Sequence, residues 1–190
     1  RLCRFSIIGG LFQDFAPSAF HMKEILIPIL SRMGAEVRLD ILRPGYVPKG
    51  HGHLMLEVEP LDGFLKPLFM KEQGNLKGVW GISLASHLEK EKVGERMANH
   101  CKDLLEKRGY PIQMEVLSDN TALQKGAALF LRADTDTGCL LGSDQPGKPG
   151  RRSEAIAEFV VASLLEDLRT KATTDRHLAD QLILFGALAR

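Results

Sequence analysis

The chain holds 190 residues, 25 basic against 24 acidic for a formal net charge of +1, with 44% hydrophobic and 26% charged residues. That profile belongs to a folded chain of one domain, or of one domain with a smaller insert, and it excludes intrinsic disorder. It also excludes a protein coated evenly in basic charge for nucleic acid, and no apolar run approaches the roughly 20 residues of a membrane span. Three scattered cysteines, Cys3, Cys101 and Cys139, form no CxxC pair. They fit a reducing compartment better than a disulfide scaffold or zinc site, so an intracellular, cytoplasmic protein is expected, or a nuclear one in a eukaryote. The chain opens in strand-like residues rather than a secretory leader and stops inside an apolar helical pattern, so it reads as a piece of a longer protein.

In chain order, a first strand over 2–8 runs into Gly9-Gly10. Ser18 is placed to cap a helix whose apolar face is Met22, Ile25, Leu26, Ile29, Leu30 and Met33. Pro28, which lacks an N–H, predicts a kink within it, and Gly34 its end. Alternation predicts half-buried strands over 37–41 and 54–58, joined by a turn-rich segment over 43–52. The irregular stretch 60–78 marks a boundary. Beyond it, 79–82 reads as a strand, and Ser86 with Glu89 as a capping box. The helix so capped carries Val93, Met97, Cys101, Leu104 and Leu105 on one face, and 112–116 reads as another strand. Strand sequence resumes over 127–133 and 139–141. A loop over 142–152 leads into a helix from Ser153, and a last helix begins near Asp175. The class is α+β, divided as 1–75, a compact α/β insert over 76–124, and 125–190.

Two segments carry candidate chemistry. The loop 142–152 holds Lys148, Arg151 and Arg152 ahead of a helix N-terminus, a setting that attracts phosphate. It is not a P-loop, because Pro149 stands where Ser or Thr would follow Gly147-Lys148. It is either an anion contact or a solvated turn. In the last helix, His177 lies three residues from Asp180 and four from Gln181, so their side chains share a face. That face either recognises a ribose or base edge or is an exposed, capped first turn with Asp placed for the helix dipole. His51-Gly52-His53 finds no third metal ligand at convincing spacing. His21, His87 and His100 read as ordinary residues, Cys101 and Cys139 as small core residues.

Six segments in register resemble the RNA 3′-terminal phosphate cyclase family along the whole chain. Ile8-Gly9-Gly10 with Ala16-Pro17 is similar to its GG…AP loop, and Leu26 to Gly34 to its LPLL…G helix. Arg43-Pro44-Gly45-Tyr46-Val47-Pro48-Lys49-Gly50 is similar to RxGYxPxGGG, and Ala133 to Cys139 to AETxxGC. Gly147-Lys148-Pro149-Gly150 with Ser153-Glu154 matches GKxGxxAE, and Asp175 to Gln181 matches VDxxLxDQL. The resemblance implies repeated units of two helices on a four-stranded sheet, as in the C-terminal domain of translation initiation factor 3, with a small α/β insert. It implies ATP-dependent conversion of an RNA 3′-phosphate end to a 2′,3′-cyclic phosphate through a histidine–AMP intermediate, assisted by Mg²⁺ or Mn²⁺. A covalent intermediate of that kind splits one hard displacement into two easier ones.

Carried over by position, the ATP-binding residues are His177, Leu178, Ala179, Asp180 and Gln181, with Pro17 beside the adenosine. Lys148, Arg151 and Arg152 are candidate phosphate contacts. His177 stands where many members have Tyr and can stack or hydrogen-bond there. Gly50-His51-Gly52 interrupts the family's triple glycine, so His51 is expected to obstruct any close approach at that point. None of the six histidines aligns with the nucleophile, which lies beyond the last helix, so no catalytic residue is assigned in this chain and the piece alone is expected to be inactive. The alternative within the same resemblance is a cyclase-like protein without the nucleophile, acting in ribosome assembly.

Overall fold

Period-two alternation builds the first sheet of the computed structural model, which describes residues 1–190. β1 (Cys3–Gly9), β3 (Gly52–Val58) and β2 (Val37–Arg43) lie side by side in that order, antiparallel throughout. Leu56 faces Phe5 on one side and Leu39 on the other, and Leu54 faces Ile7 and Ile41. One register therefore places these six residues on one face.

Helix α1 comprises Ala19–His21, a π-helical turn Met22–Leu26 and Ile27–Arg32. Ser18 caps it as expected, its hydroxyl accepting from His21 N–H at 3.3 Å, and Gly34 ends it at φ +94°. The break expected at Pro28 takes the form of this π turn. Pro28 has no N–H to offer the Glu24 carbonyl four residues back. The helix widens just ahead of it, Ile27 N–H reaching Met22 O, while Arg132 Nη1 donates to the Glu24 carbonyl at 3.5 Å.

The second sheet has the order β5 (Ile112–Asp119), β4 (Leu76–Ser86), β6 (Gly126–Thr135), β7 (Leu140–Pro146). β4 is parallel to β5 and antiparallel to β6. Helices α2 (Val93–Glu106) and α3 (Ser153–Arg169) cover one face, where Met97, Cys101 and Leu105 meet Leu129, Leu131, Ile156 and Leu164. The other face gives Ile82, Leu84 and Phe130 to a core shared with Ile25, Ile29 and Met33 of α1. α4 (Arg176–Leu188) closes the order. No helix is long and apolar enough to cross a membrane.

Three expectations are corrected. Ser86 does not cap a helix. It is the last residue of β4, opposite Gly126 and fully buried, and its hydroxyl is bonded to Tyr46 Oη at 2.8 Å, while α2 starts at Val93 after Lys92 at φ +48° with no side-chain cap. Residues 142–146 are not loop, because β6 supplies partners as far as Ala128 opposite Pro146; the connection shrinks to 147–152. The division expected after residue 124 falls within one sheet, since β4 and β6 pair from Ser86–Gly126 to Leu76–Thr135.

Candidate functional site

The start of α4 is fixed from below by a buried carboxylate. Asp175 is its N-cap: Oδ1 accepts from the N–H of His177 at 2.9 Å and of Leu178 at 2.8 Å. Oδ2 accepts from Gly142 N–H of β7 at 2.8 Å, and His21 Nε2 of α1 lies 3.2 and 3.1 Å from the two oxygens. Both side chains are fully buried. Burial alone would push the Asp175 carboxyl up. The hydrogen bond and charge of His21, with the Leu178 and Gly142 N–H groups, outweigh it and hold the carboxyl below its ordinary value. An ionised carboxylate only accepts, so His21 Nε2 carries the proton; Nδ1 is buried without a partner. Gly142 makes this approach feasible, because a Cβ there would stand 2.7 Å from His21 Cδ2.

Above this pair opens a cleft of about 350 Å³, lined by the segment 13–16, β7, the 147–152 loop and residues of α3 and α4. Arg151 grips Asp14 with two parallel bonds of 2.9 and 3.2 Å and donates to Pro146 O at 2.6 Å. The hydrogen bond from Arg151 pulls the Asp14 carboxyl below its usual range against a small opposing effect of burial, and the nearby Arg151 and Lys148 charges add to the pull. Lys148 Nζ is 3.8 Å from the same carboxylate. On the opposite wall Arg176 bonds Asp167 at 2.8 Å, and Asp144 accepts from Ser18 N–H at 2.8 Å. Lys148, Arg151 and Arg176 thus face Asp14, Asp144 and Asp167, and the cleft is close to neutral. The His177 ring lies on its lining, edge-on to the His21 ring at 5.9 Å.

Of the residues singled out from the sequence, Lys148, Arg151 and His177 come together on this cleft. Pro17 is half-buried next to the lining residue Ala16. Leu178 is core, Ala179 and Asp180 are exposed and Gln181 is half-buried; none of the four lines the cleft. Arg152 turns to a second cleft instead. Asp175 is a buried junction rather than an exposed cap, and His21 is its partner rather than an ordinary residue. Asp14 and Asp167, which pair the cleft's arginines, carried no signal of their own in the sequence. His51 is exposed at φ +54°; the tight approach lies beside it, where a Cβ on Gly45 would run into the backbone of Gly52. No group of three or more His, Cys, Asp or Glu side chains is placed to hold a metal ion.

Comparison with known proteins bears on this arrangement. Residues 71–169 match the family model described as RNA 3′-terminal phosphate cyclase, insert domain. The match runs through β4, α2, β5, β6, β7 and α3, so it also crosses the division expected after residue 124. The chain is 30% identical over 184 residues to the RNA 3′-terminal phosphate cyclase of Pyrobaculum aerophilum, covering 97% of this chain and 52% of that protein. It is 34% identical over 187 residues to that of Methanococcoides burtonii, covering 98% and 53%. A probable RNA 3′-terminal phosphate cyclase of Dictyostelium discoideum is 34% identical over 189 residues, covering 96% and 43%. The chain spans about half the length of these relatives.

Proposed function

Since the chain belongs to the RNA 3′-terminal phosphate cyclase family, we propose that the protein it comes from converts an RNA 3′-phosphate end to a 2′,3′-cyclic phosphate at the expense of ATP, and that the 350 Å³ cleft takes part of the nucleotide. The convergence of His177, Lys148 and Arg151 on that cleft supports the reading. Its volume lies at the lower end of the range of small-molecule sites.

ATP supplies the AMP that makes a phosphate oxygen a departing group, so that the neighbouring 2′-hydroxyl can close the ring. This chain's own residues bind and orient. His177 offers a ring face and a nitrogen to the adenine, and Pro17 flanks it. Lys148 and Arg151 meet phosphate oxygens once Asp14 gives way, an exchange of one bidentate anion for another. Mg²⁺ or Mn²⁺ finds no fitting donor set among these residues. Residues 1–58, three strands and one helix, are read as part of a repeated unit like that of translation initiation factor 3.

The test is the intact mass of the gene's full-length product after incubation with ATP and Mg²⁺ or Mn²⁺, without RNA. A gain of one AMP, labile to acid and reduced by His177→Ala, is expected. No gain from folded protein would overturn the nucleotide reading and favour a cyclase-like protein of ribosome assembly.

A further inference from the structure

A second cleft, about 570 Å³ in volume, shares Lys148 and Arg151 with the first. Its walls are the Tyr46–Pro48 segment, residues near the start of α2, and the N-terminus of α3. Five cations line it, Arg96, Lys125, Lys148, Arg151 and Arg152, against one carboxylate, Glu91. The first cleft balances three charges of each sign, so the two differ in kind. Counting also Glu154 and Asp14, the ion-pair partners that stand off the lining, the cations still lead by five to three.

The cations have separate duties. Arg96 is pinned to Glu154 by bonds of 2.8 and 3.0 Å from Nη2 and 3.0 Å from Nε, and it braces α2 against α3. Lys125, Lys148 and Arg152 keep side chains 64%, 59% and 79% exposed, in loose or single contacts that a stronger anion can displace. α3 adds first-turn N–H groups that no side chain of Arg152 caps, although the Glu154 carboxylate accepts from its own N–H. On the facing wall Val47, 58% exposed, and Pro48 offer apolar surface to a base or sugar. Several anionic positions in a row beside an apolar strip match a single-stranded nucleic-acid backbone better than one small anion.

We infer that this second cleft seats the 3′ strand of RNA, with phosphodiesters on Lys125 and Arg152 and the terminal phosphate delivered to Lys148 and Arg151, where the two clefts meet. The inference rests on the nucleotide reading of the first cleft, since it is the shared pair of cations that brings the end of the strand to the activating group.

The experiment is fluorescence anisotropy of a 5′-labelled single-stranded RNA ending in a 3′-phosphate, titrated with the full-length product across a salt series. Lys125→Gln and Arg152→Gln are each expected to raise Kd roughly 3- to 10-fold at low salt and to make the log–log salt slope less negative by about one. Arg169→Gln removes one charge at the far end of α3, about 25 Å away at the helical rise, and is expected to change neither. Unaltered Kd and slope in both cleft variants, with the parent binding RNA, would overturn the seat. So would an equal loss of affinity for an oligoglutamate peptide, which would make the surface a dock for acidic protein. AMP incorporation by the parent, read separately, keeps the two ideas apart. RNA losses without an AMP gain leave the seat and remove the nucleotide reading; an AMP gain with unaltered RNA binding does the reverse.

Discussion

Asp175 gathers four N–H groups from three segments: His21 Nε2, Gly142, His177 and Leu178. Removing the carboxylate leaves all four without an acceptor, three of them buried, so Asp175→Ala is expected to cost about 3–5 kcal/mol in denaturant unfolding. The pH dependence has a definite sign. The folded carboxyl lies below its ordinary value, about 3.9 in the unfolded chain, so its stabilisation is complete above that pH and lost as the pH falls through the folded value. Unfolding midpoints measured from pH 7 down to pH 3 should fall more steeply for the parent than for Asp175→Asn. None of this was visible in the sequence. An N-cap Asp looks the same whether solvent or a histidine 154 positions away completes it. Lys148, Arg151 and His177, singled out from the sequence by a cationic loop and a helix start, do meet on one cleft.

Among the elements, the connection from β2 to β3 depends on two glycines that touch. A Cβ at Gly45 would run into the backbone of Gly52, and at Gly52 it would stand 2.8 Å from Gly45 N. Gly45→Ala is expected to destabilise by about 1–3 kcal/mol, the usual range for an overpacked site, measured as the shift in urea midpoint. His51, between them in sequence, holds φ +54° with its side chain in solvent. His51→Gly relieves left-handed strain and is expected to raise stability by up to about 1 kcal/mol. Strands with alternating apolar residues, such as β2 and β3, could be read directly. The second half of β7 could not, since Gly142-Ser143-Asp144-Gln145-Pro146 carries no alternation and is held by its pairing to β6. The break expected after residue 124 failed for a related reason. Turn residues mark where the chain reverses, whereas a core is divided by long-range pairing, here of β4 with β6.

Over the whole molecule, two elements each carry a run of exposed apolar side chains. β1 is a sheet edge with Phe5, Ile7 and Ile8 exposed by 49%, 44% and 63%, and α4 exposes Ile183 and Leu184 by 71% and 63%. An open edge bearing apolar side chains is a template for another strand, and a net charge of +1 offers little repulsion. Residues 1–190 alone are therefore expected to sediment as a concentration-dependent mixture, and Phe5→Lys with Ile8→Lys to restore a single monomeric boundary. Equal sedimentation of both forms would dissociate β1 from the association.

The carboxylate beneath α4 also sets a clock. Gly142, His177 and Leu178 lie beside an open cleft, yet their amide hydrogens point into a buried acceptor that α1, β7 and α4 share. Deuterium can reach them only when those segments part together, so the three amides should exchange at one slow rate while the Lys148 and Gly150 amides of the 147–152 loop exchange within seconds. A molecule that enters the cleft and leaves again need not disturb that rate; only the opening of the junction itself will.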